Sequence, residues 1–513
     1  MSVANRVIKN TGFLYAKMGI TIFISLYTTR LILGALGAED FGIFNVVGGA
    51  IAMLGFLHIA MASATQRFMS YSEGEGNPNK QKSIFNISII LHASIAIIVA
   101  LSLFVAGYFF FNGGLNIPEE RIAAAKSIYY FMILSTVFTI VGVPYEATLN
   151  AHENMLYFSV IGVLESILKL IVAFTVVYTL KDKLIVYGVL MAAVSSLSAL
   201  SMGVYCHKNY QECSFHPSLY WNKHLMMSMT KFAGWNFLVV SSSMISQYGL
   251  SIVLNNFWGT LLNAAQGIAN QISGQLMAFS NTMMTALNPV IAKSEGSGQR
   301  HVMLNASMTG AKFSFLLLAF FAAPFIIEAP FILGFWLKEV PEWAVLFTRL
   351  QLLRSLTEQL TVMIYGTISA QGDIKKYSIV KSVLNILPII LTILAFSLNY
   401  PPYFMYIVWI TCWGVFGGLT ILFFSHINCG LNYAQYFKSV LVPSIATIAM
   451  MILIGFIPTL IMSSGFLRLI TIMILTTISF VSTYLLFFIT QNEKHIMVNI
   501  IMVVRGKLIK AKS

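Results

Sequence analysis

The chain has 513 residues, 58% hydrophobic and only 10% charged, with mean hydropathy +0.80. Soluble domains carry roughly 25% charged residues, so the composition excludes a soluble globular protein. A net charge of +13 would point to nucleic acid in a soluble chain; in a membrane protein, Lys and Arg collect in cytoplasmic loops and fix topology, so no nucleic-acid partner is expected.

Apolar runs of ~20 residues mark membrane-spanning helices, and the chain holds about fourteen of them. The first six fall at 12–36, 41–64, 84–111, 127–149, 156–179 and 184–206. The next six fall at 231–254, 262–289, 303–327, 344–369, 378–399 and 403–425, and two more at 439–462 and 466–490. Arg6, Lys9 and Lys17 before the first run imitate a secretory signal, but the run is too long for one and is read as a first helix. The expected fold is an all-α polytopic membrane protein.

The stretch Gly37–Gly76 recurs 222 positions later as Gly259–Gly298, with Leu54 on Leu276, Met61 on Met283 and Ser72-Glu73-Gly74 on Ser294-Glu295-Gly296. Further on, Thr148–Asn154 resembles Thr367–Asp373 at an offset of 219, and Ser159/Ser378 and Leu168/Leu387 keep that register. Helices one to six therefore correspond to seven to twelve. Six is even, so both copies cross in the same sense, and a pseudo-two-fold axis along the membrane normal is expected with a shared cavity between the halves. The organisation read from this is an N-terminal six-helix lobe (1–206), a cytoplasmic linker (207–229), a C-terminal six-helix lobe (230–438), two additional helices (439–490) and a basic tail (491–513). The linker, with Trp221 and Met226-Met227, reads as an interfacial helix or a solvated connection. The tail, with Arg505, Lys507, Lys510 and Lys512, suits anionic headgroups or simply fixes topology.

Loop charge sets orientation. Arg67, Lys80, Lys82, Lys208, Lys293, Arg300, Lys375 and Lys376 fall on one side and fewer cations on the other, which places both termini in the cytoplasm.

Ionisable residues inside spans face cavities or each other. Helix one carries Lys17 and Arg30, helix four Glu146, helix five Glu165 and Lys169, and helix ten Arg349, Arg354 and Glu358. Glu165/Lys169 and Arg354/Glu358 have i,i+4 spacing, so each pair either neutralises itself or lines a cavity. Lys17 and Arg349 lie near span ends and suit snorkelling to headgroups. Arg30 has no acid within a turn on its helix and is the leading cavity residue; the alternative is an outer-interface anchor. Cations exceed acids in this set, which suits an anionic passenger, and Arg pairs with phosphate in a bidentate fork. Gln247 and Asn255 on helix seven and Gln271 on helix eight fit sugar hydroxyls or interhelical glue. Cys206, Cys213 and His216 match no standard metal spacing, and no GxxxxGK[ST] loop is present. No metal or cofactor is expected, with coupling to Na⁺ or H⁺ left open.

The segments NTGFLYAKMG, YTTRLILGALGAEDFGIFNVVGG, the SEG loop and PYEATLNAHENM together resemble a bacterial lipopolysaccharide/O-antigen (O-unit) flippase. That polysaccharide transporter family belongs to the multidrug/oligosaccharidyl-lipid/polysaccharide (MOP) exporter superfamily. The resemblance covers helices one to twelve. It implies a two-lobed bundle in the bacterial inner membrane that alternates between inward- and outward-open states. The implied passenger is an undecaprenyl-diphosphate-linked oligosaccharide, flipped to the outer leaflet with Arg30 at the cationic position of helix one. Helices thirteen and fourteen would border a groove for the lipid tail, with membrane lipids and polysaccharide-assembly proteins as partners. A MATE-type multidrug exporter is the alternative. Such transporters typically place an acid on helix one, where this chain has none before Glu39. A membrane-embedded O-antigen ligase or polymerase is a third reading, and the short outer loops argue against it.

Overall fold

Fourteen long helices follow the apolar runs in a computed structural model that describes residues 3–52, 56–114, 117–337, 339–490 and 493–494. The first six are α1 (3–36), α2 (described over 38–52 and Phe56–Glu75), α3 (Pro78–Phe109), α4 (Ile122–Ala151), α5 (Met155–Tyr178) and α6 (Lys183–Asn209). The next six are α7 (Lys223–Trp258), α8 (Thr260–Gly296), α9 (Arg300–Trp336), α10 (Ala344–Gln371), α11 (Lys375–Ser397) and α12 (Phe404–Cys429). Two more, α13 (Tyr433–Ile461) and α14 (Phe466–Phe488), complete the set, and no strand occurs among the described residues.

Eleven of these are long and apolar enough to cross a membrane on their own, fewer than the fourteen expected. α2 is described only in two parts, and α8 and α10 fall short because they carry polar side chains along their length: Gln266, Asn270 and Gln271 on α8, Arg354 and Glu358 on α10. Such helices are stable in a bilayer only with their polar faces against other helices or a cavity.

The glycines of the repeat are there for their backbone. Gly37 (φ 77, ψ 172) breaks α1 from α2, and Gly259 (φ 80, ψ −177) breaks α7 from α8 in the same conformation. Gly76 (φ 66) and Gly298 (φ 75) repeat the match just after the SEG tripeptides, which form the last turns of α2 and α8 and not the loops expected. Residues with a Cβ avoid these angles. The later register holds too: Cys206 Sγ approaches the Tyr145 carbonyl at 3.6 Å, and Ser425 Oγ approaches the Ile364 carbonyl at 3.4 Å, each pair 219 apart.

Apolar packing divides unevenly along the bundle. At the end bearing the SEG tripeptides, one core runs from Met61, Phe68 and Ala147 across to Leu287, Ile291 and Met363. Toward the Gly37/Gly259 end it splits, with Ile43, Ile128 and Val176 on one side and Leu254, Phe347 and Trp409 on the other. The two halves are thus joined at the SEG end and parted at the other.

Helices α13 and α14 pack on α9. A Cβ at Gly455 would lie 2.5 Å from Thr476 and 2.7 Å from Ile327, so any larger residue would force these side chains to shift. Arg468 of α14 pairs with buried Glu328 of α9 at 2.5 Å. Pro330 has no N–H for the Ile326 carbonyl four residues back, and Arg349 Nε donates to that oxygen at 2.8 Å. Arg349 also reaches the Ile327 carbonyl at 3.2 Å. It caps a kinked helix and does not snorkel to headgroups as its place in the span had suggested.

The linker is shorter than 207–229. Helix α6 runs to Asn209 and α7 starts at Lys223, so Met226 and Met227 belong to α7, and the only helical piece between is the turn Pro217–Tyr220. The basic tail lies outside the described residues except for Glu493 and Lys494; Glu493 pairs with buried Lys312 of α9 at 2.5 Å.

Candidate functional site

At the SEG end the two halves meet backbone to backbone. A Cβ on Gly74 would lie 2.0 Å from the Lys293 carbonyl oxygen, and one on Gly296 would lie 2.0 Å from the Tyr71 carbonyl oxygen. Gly74/Gly296 and Tyr71/Lys293 are both 222 apart, so the pseudo-two-fold passes through this crossing. Polar contacts hold it. Arg67 donates to the carbonyls of Ser369 and Ala370 at the end of α10, at 3.2 and 2.7 Å. Lys293 lies 3.2 Å from Glu73 and 3.9 Å from Glu153, which also takes Arg6 at 2.9 Å. Further in, the Tyr15 hydroxyl donates to the Phe279 carbonyl at 2.8 Å.

The first half encloses a cavity of about 240 Å³ among α1, α4, α5 and α6, lined by Lys17, Thr139, Glu146, Phe158, Glu165 and Ser198. Lys17 turns inward, its ammonium 3.9 Å from the Phe158 ring centroid. Its stem fills the slot over Gly162, where a Cβ would come within 2.3 Å of Cε. The snorkelling expected of Lys17 is therefore not what the structure has. Glu165 pairs with Lys169 at 2.6 Å and accepts from Ser198 at 2.9 Å. The self-neutralising reading of that pair holds, and Glu165 still lines the cavity.

The second half has a cluster of its own. Arg354 is buried, bonded to Glu358 at 2.5 Å and to Gln351 at 3.2 Å. Its guanidinium lies 4.3 Å from the Trp409 ring and 5.6 Å from Trp413, beside the π-helical stretch Ile410–Phe416. Lys381 lies 5.5 Å over Trp413, and a Cβ at Gly417 would be 2.7 Å from its ammonium. At the 219 offset, Lys381 stands where the first half has Gly162, and Gly417 where it has Ser198. Each half thus brings an ammonium into a corresponding slot, Lys17 from α1 and Lys381 from α11.

The other expected residues lie apart. Gln271 is exposed on the stripe of α8 that also shows Ala264, Gly267, Gly274 and Gln275. Gln247 is exposed on the side of α7 opposite Leu238, Ile245 and Ile252. The Asn255 carbonyl ends α7 by accepting from Gly259 at 2.8 Å, and its side chain is half-buried. Ser251 ties α7 to Gln266 of α8 at 3.0 Å, an instance of interhelical glue. Arg30 is exposed two turns from Gly37 on a stripe with Phe23 and Tyr27, without a hydrogen-bond or ion-pair partner among the described residues. Lys17 and Arg30 therefore do not share a site in this conformation.

A family model described as MatE matches residues 17–175 and 233–394, one stretch in each half and together more than half of the chain. The chain belongs to the MatE family. MatE proteins are secondary transporters, so the chain is a multi-pass membrane transporter, and the ligase or polymerase reading is set aside. A MATE transporter in the bent conformation superposes with TM-score 0.67 at 13% identity, over 86% of this chain and 96% of that one. A mutant form of a MATE transporter gives 0.66 at 16%, over 82% and 93%. A MOP superfamily transporter from Pyrococcus furiosus, whose binding pocket of reverse polarity suggests a different function, gives 0.62 at 13%, over 94% and 95%. These likenesses show the fold. The uncharacterized membrane protein EpsK of Bacillus subtilis is 30% identical over 108 residues, so the chain matches 21% of EpsK's length.

Three residues of these arrangements escaped the sequence reading. Lys381 reads in sequence as a straggler of the Lys375-Lys376 loop. Lys293 and Arg67 read as topology charges. For Lys293 and Arg67 the available signal was their position beside the repeated SEG tripeptides.

Proposed function

We propose that this MatE protein carries an anionic, lipid-linked oligosaccharide of the undecaprenyl-diphosphate class across the bacterial inner membrane by alternating access. The observation that carries the proposal is Lys17. Its ammonium sits in the first-half cavity with Glu146 and Glu165, so the protein's own cation fills the place a cationic passenger would take. The intramembrane cations Lys17, Lys169, Arg354 and Lys381 then outnumber Glu146, Glu165 and Glu358. Arg30, exposed and unpaired, adds a guanidinium suited to a diphosphate. With the SEG end cytoplasmic by loop charge, the conformation is outward-open. Gln247 and Gln271, both exposed, would offer their amides to sugar hydroxyls of such a passenger.

The second reading, efflux of cationic drugs, is favoured by the family itself and by the two cavity carboxylates. Proteoliposomes separate the two. The flippase reading expects translocation of a fluorescent polyprenyl-diphosphate oligosaccharide, lost in Arg30→Ala with the protein still in the membrane, under an imposed Na⁺ or proton gradient. Ethidium transport without lipid translocation would establish the drug reading instead. Orientation has its own test: Glu119→Cys should label with an impermeant thiol reagent in intact cells and Glu75→Cys should not.

A further inference from the structure

The seam between α5 and α6 carries a groove at the SEG end, of about 460 Å³, lined by Tyr157, Leu197, Leu200, Val204, Tyr205 and Lys208. Positions 197, 200, 204 and 208 recur at helical spacing, so one face of α6 runs from apolar to cationic. Leu197, Leu200 and Val204 are 51%, 59% and 54% exposed on a helix long and apolar enough to cross a membrane, where acyl chains are the solvent. Tyr157 and Tyr205 stack with ring centroids 3.5 Å apart and form a flat wall. The Tyr205 hydroxyl accepts from Asn154 at 2.9 Å, which leaves its own proton for another acceptor. Tyr157 donates its proton to the Ser201 carbonyl at 3.1 Å. Lys208, in the last turn of α6, is exposed and has no carboxylate or ring partner among the described residues.

We propose that this groove seats one anionic glycerophospholipid of the leaflet at the SEG end. The phosphate lies against the Lys208 ammonium and the Tyr205 hydroxyl, and one acyl chain runs along Leu197, Leu200 and Val204. Three features choose this occupant. A groove open sideways to a bilayer is filled by lipid. An ammonium without a counter-ion there selects an anionic headgroup. Paired tyrosines belong at headgroup depth. The seat is on the outside of the helices whose Glu165 and Ser198 line the first-half cavity, so it is separate from the passenger's path and independent of the passenger's identity.

Native mass spectrometry of the purified full chain, titrated with phosphatidylglycerol or phosphatidylcholine, tests this. The wild type should retain one phosphatidylglycerol with about five-fold preference, the worth of one interfacial lysine. Lys208→Glu should erase the preference. Val204→Trp, which fills the acyl track and leaves the charge, should lower retention of both lipids. Absence of a preference in the wild type, a preference that survives Lys208→Glu, or retention unchanged by Val204→Trp would each overturn the proposal.

Discussion

Gly74 and Gly296 face each other across the pseudo-two-fold, each with its Cα against a backbone carbonyl in the last turns of the other's helix, so that neither position has room for a Cβ. The backbone crossing they allow seals one end of the transporter. Gly74→Ala should therefore disfavour this conformation without disturbing either half alone, because interatomic distances near 2.0 Å are far inside van der Waals contact. By symmetry Gly296→Ala should do the same. Spin labels on Glu75 and Ser297 would read a shift to longer distances in both variants. Wild-type distances in either would show that the two helix ends part at no cost.

Lys17 decides which passenger the first-half cavity suits. Lys17→Gln removes the ammonium and leaves Glu146 and Glu165 to share Lys169, and an uncompensated buried carboxylate is strongly unfavourable. The variant should recruit a cation from solution. Ethidium binding should rise by an order of magnitude or more, and lipid-diphosphate translocation should fall. Equal ethidium binding by wild type and variant would mean that Lys17 does not occupy the cation's place.

Glu153 makes closure of the SEG end depend on pH. It lies in the turn between α4 and α5, its side chain 1% exposed, and it adopts φ 55 where the second half has Gly372. Burial pushes its carboxyl up, against the downward pull of Arg6 and Lys293. The closed end therefore holds the Glu153 proton more tightly than an opened, hydrated end would. Closure is then fully favoured below the ordinary carboxylate value of 4.5 and weakens as pH rises through the raised value. The same spin-label pair should report more of the closed form at pH 5 than at pH 8, and Glu153→Gln should flatten that dependence. A dependence that persists in the variant would assign the proton to another group at this end.

Much of the fold was legible because its signals are backbone signals. Gly37, Gly76, Gly259 and Gly298 need positive φ, so their recurrence in sequence maps directly onto paired breaks. The all-α, many-helix class followed from apolar runs for the same local reason. What sequence did not carry was direction. Lys17 and Arg349 sit near span ends, where headgroups and interior carbonyls are equally within reach of a long side chain; only packing against Gly162 and against the Pro330 kink settles each. Lys381 was hidden by its basic neighbours. Arg30, the most conspicuous cation, proves to be on an exposed stripe apart from the others, because a helix of this length shows different faces to a cavity and to its surroundings.

Arg349 and Pro330 should behave as a coupled pair. Arg349→Ala strands the carbonyls of Ile326 and Ile327, and a buried unsatisfied acceptor costs about 1–3 kcal/mol. Pro330→Ala restores an N–H for Ile326 and so removes one of the two acceptors that need Arg349. The single Arg349→Ala variant should unfold several degrees earlier in detergent. The double variant should recover part of that loss, giving a coupling energy of roughly 1 kcal/mol. Strictly additive effects would show that Arg349 stabilises α9 by something other than capping the kink.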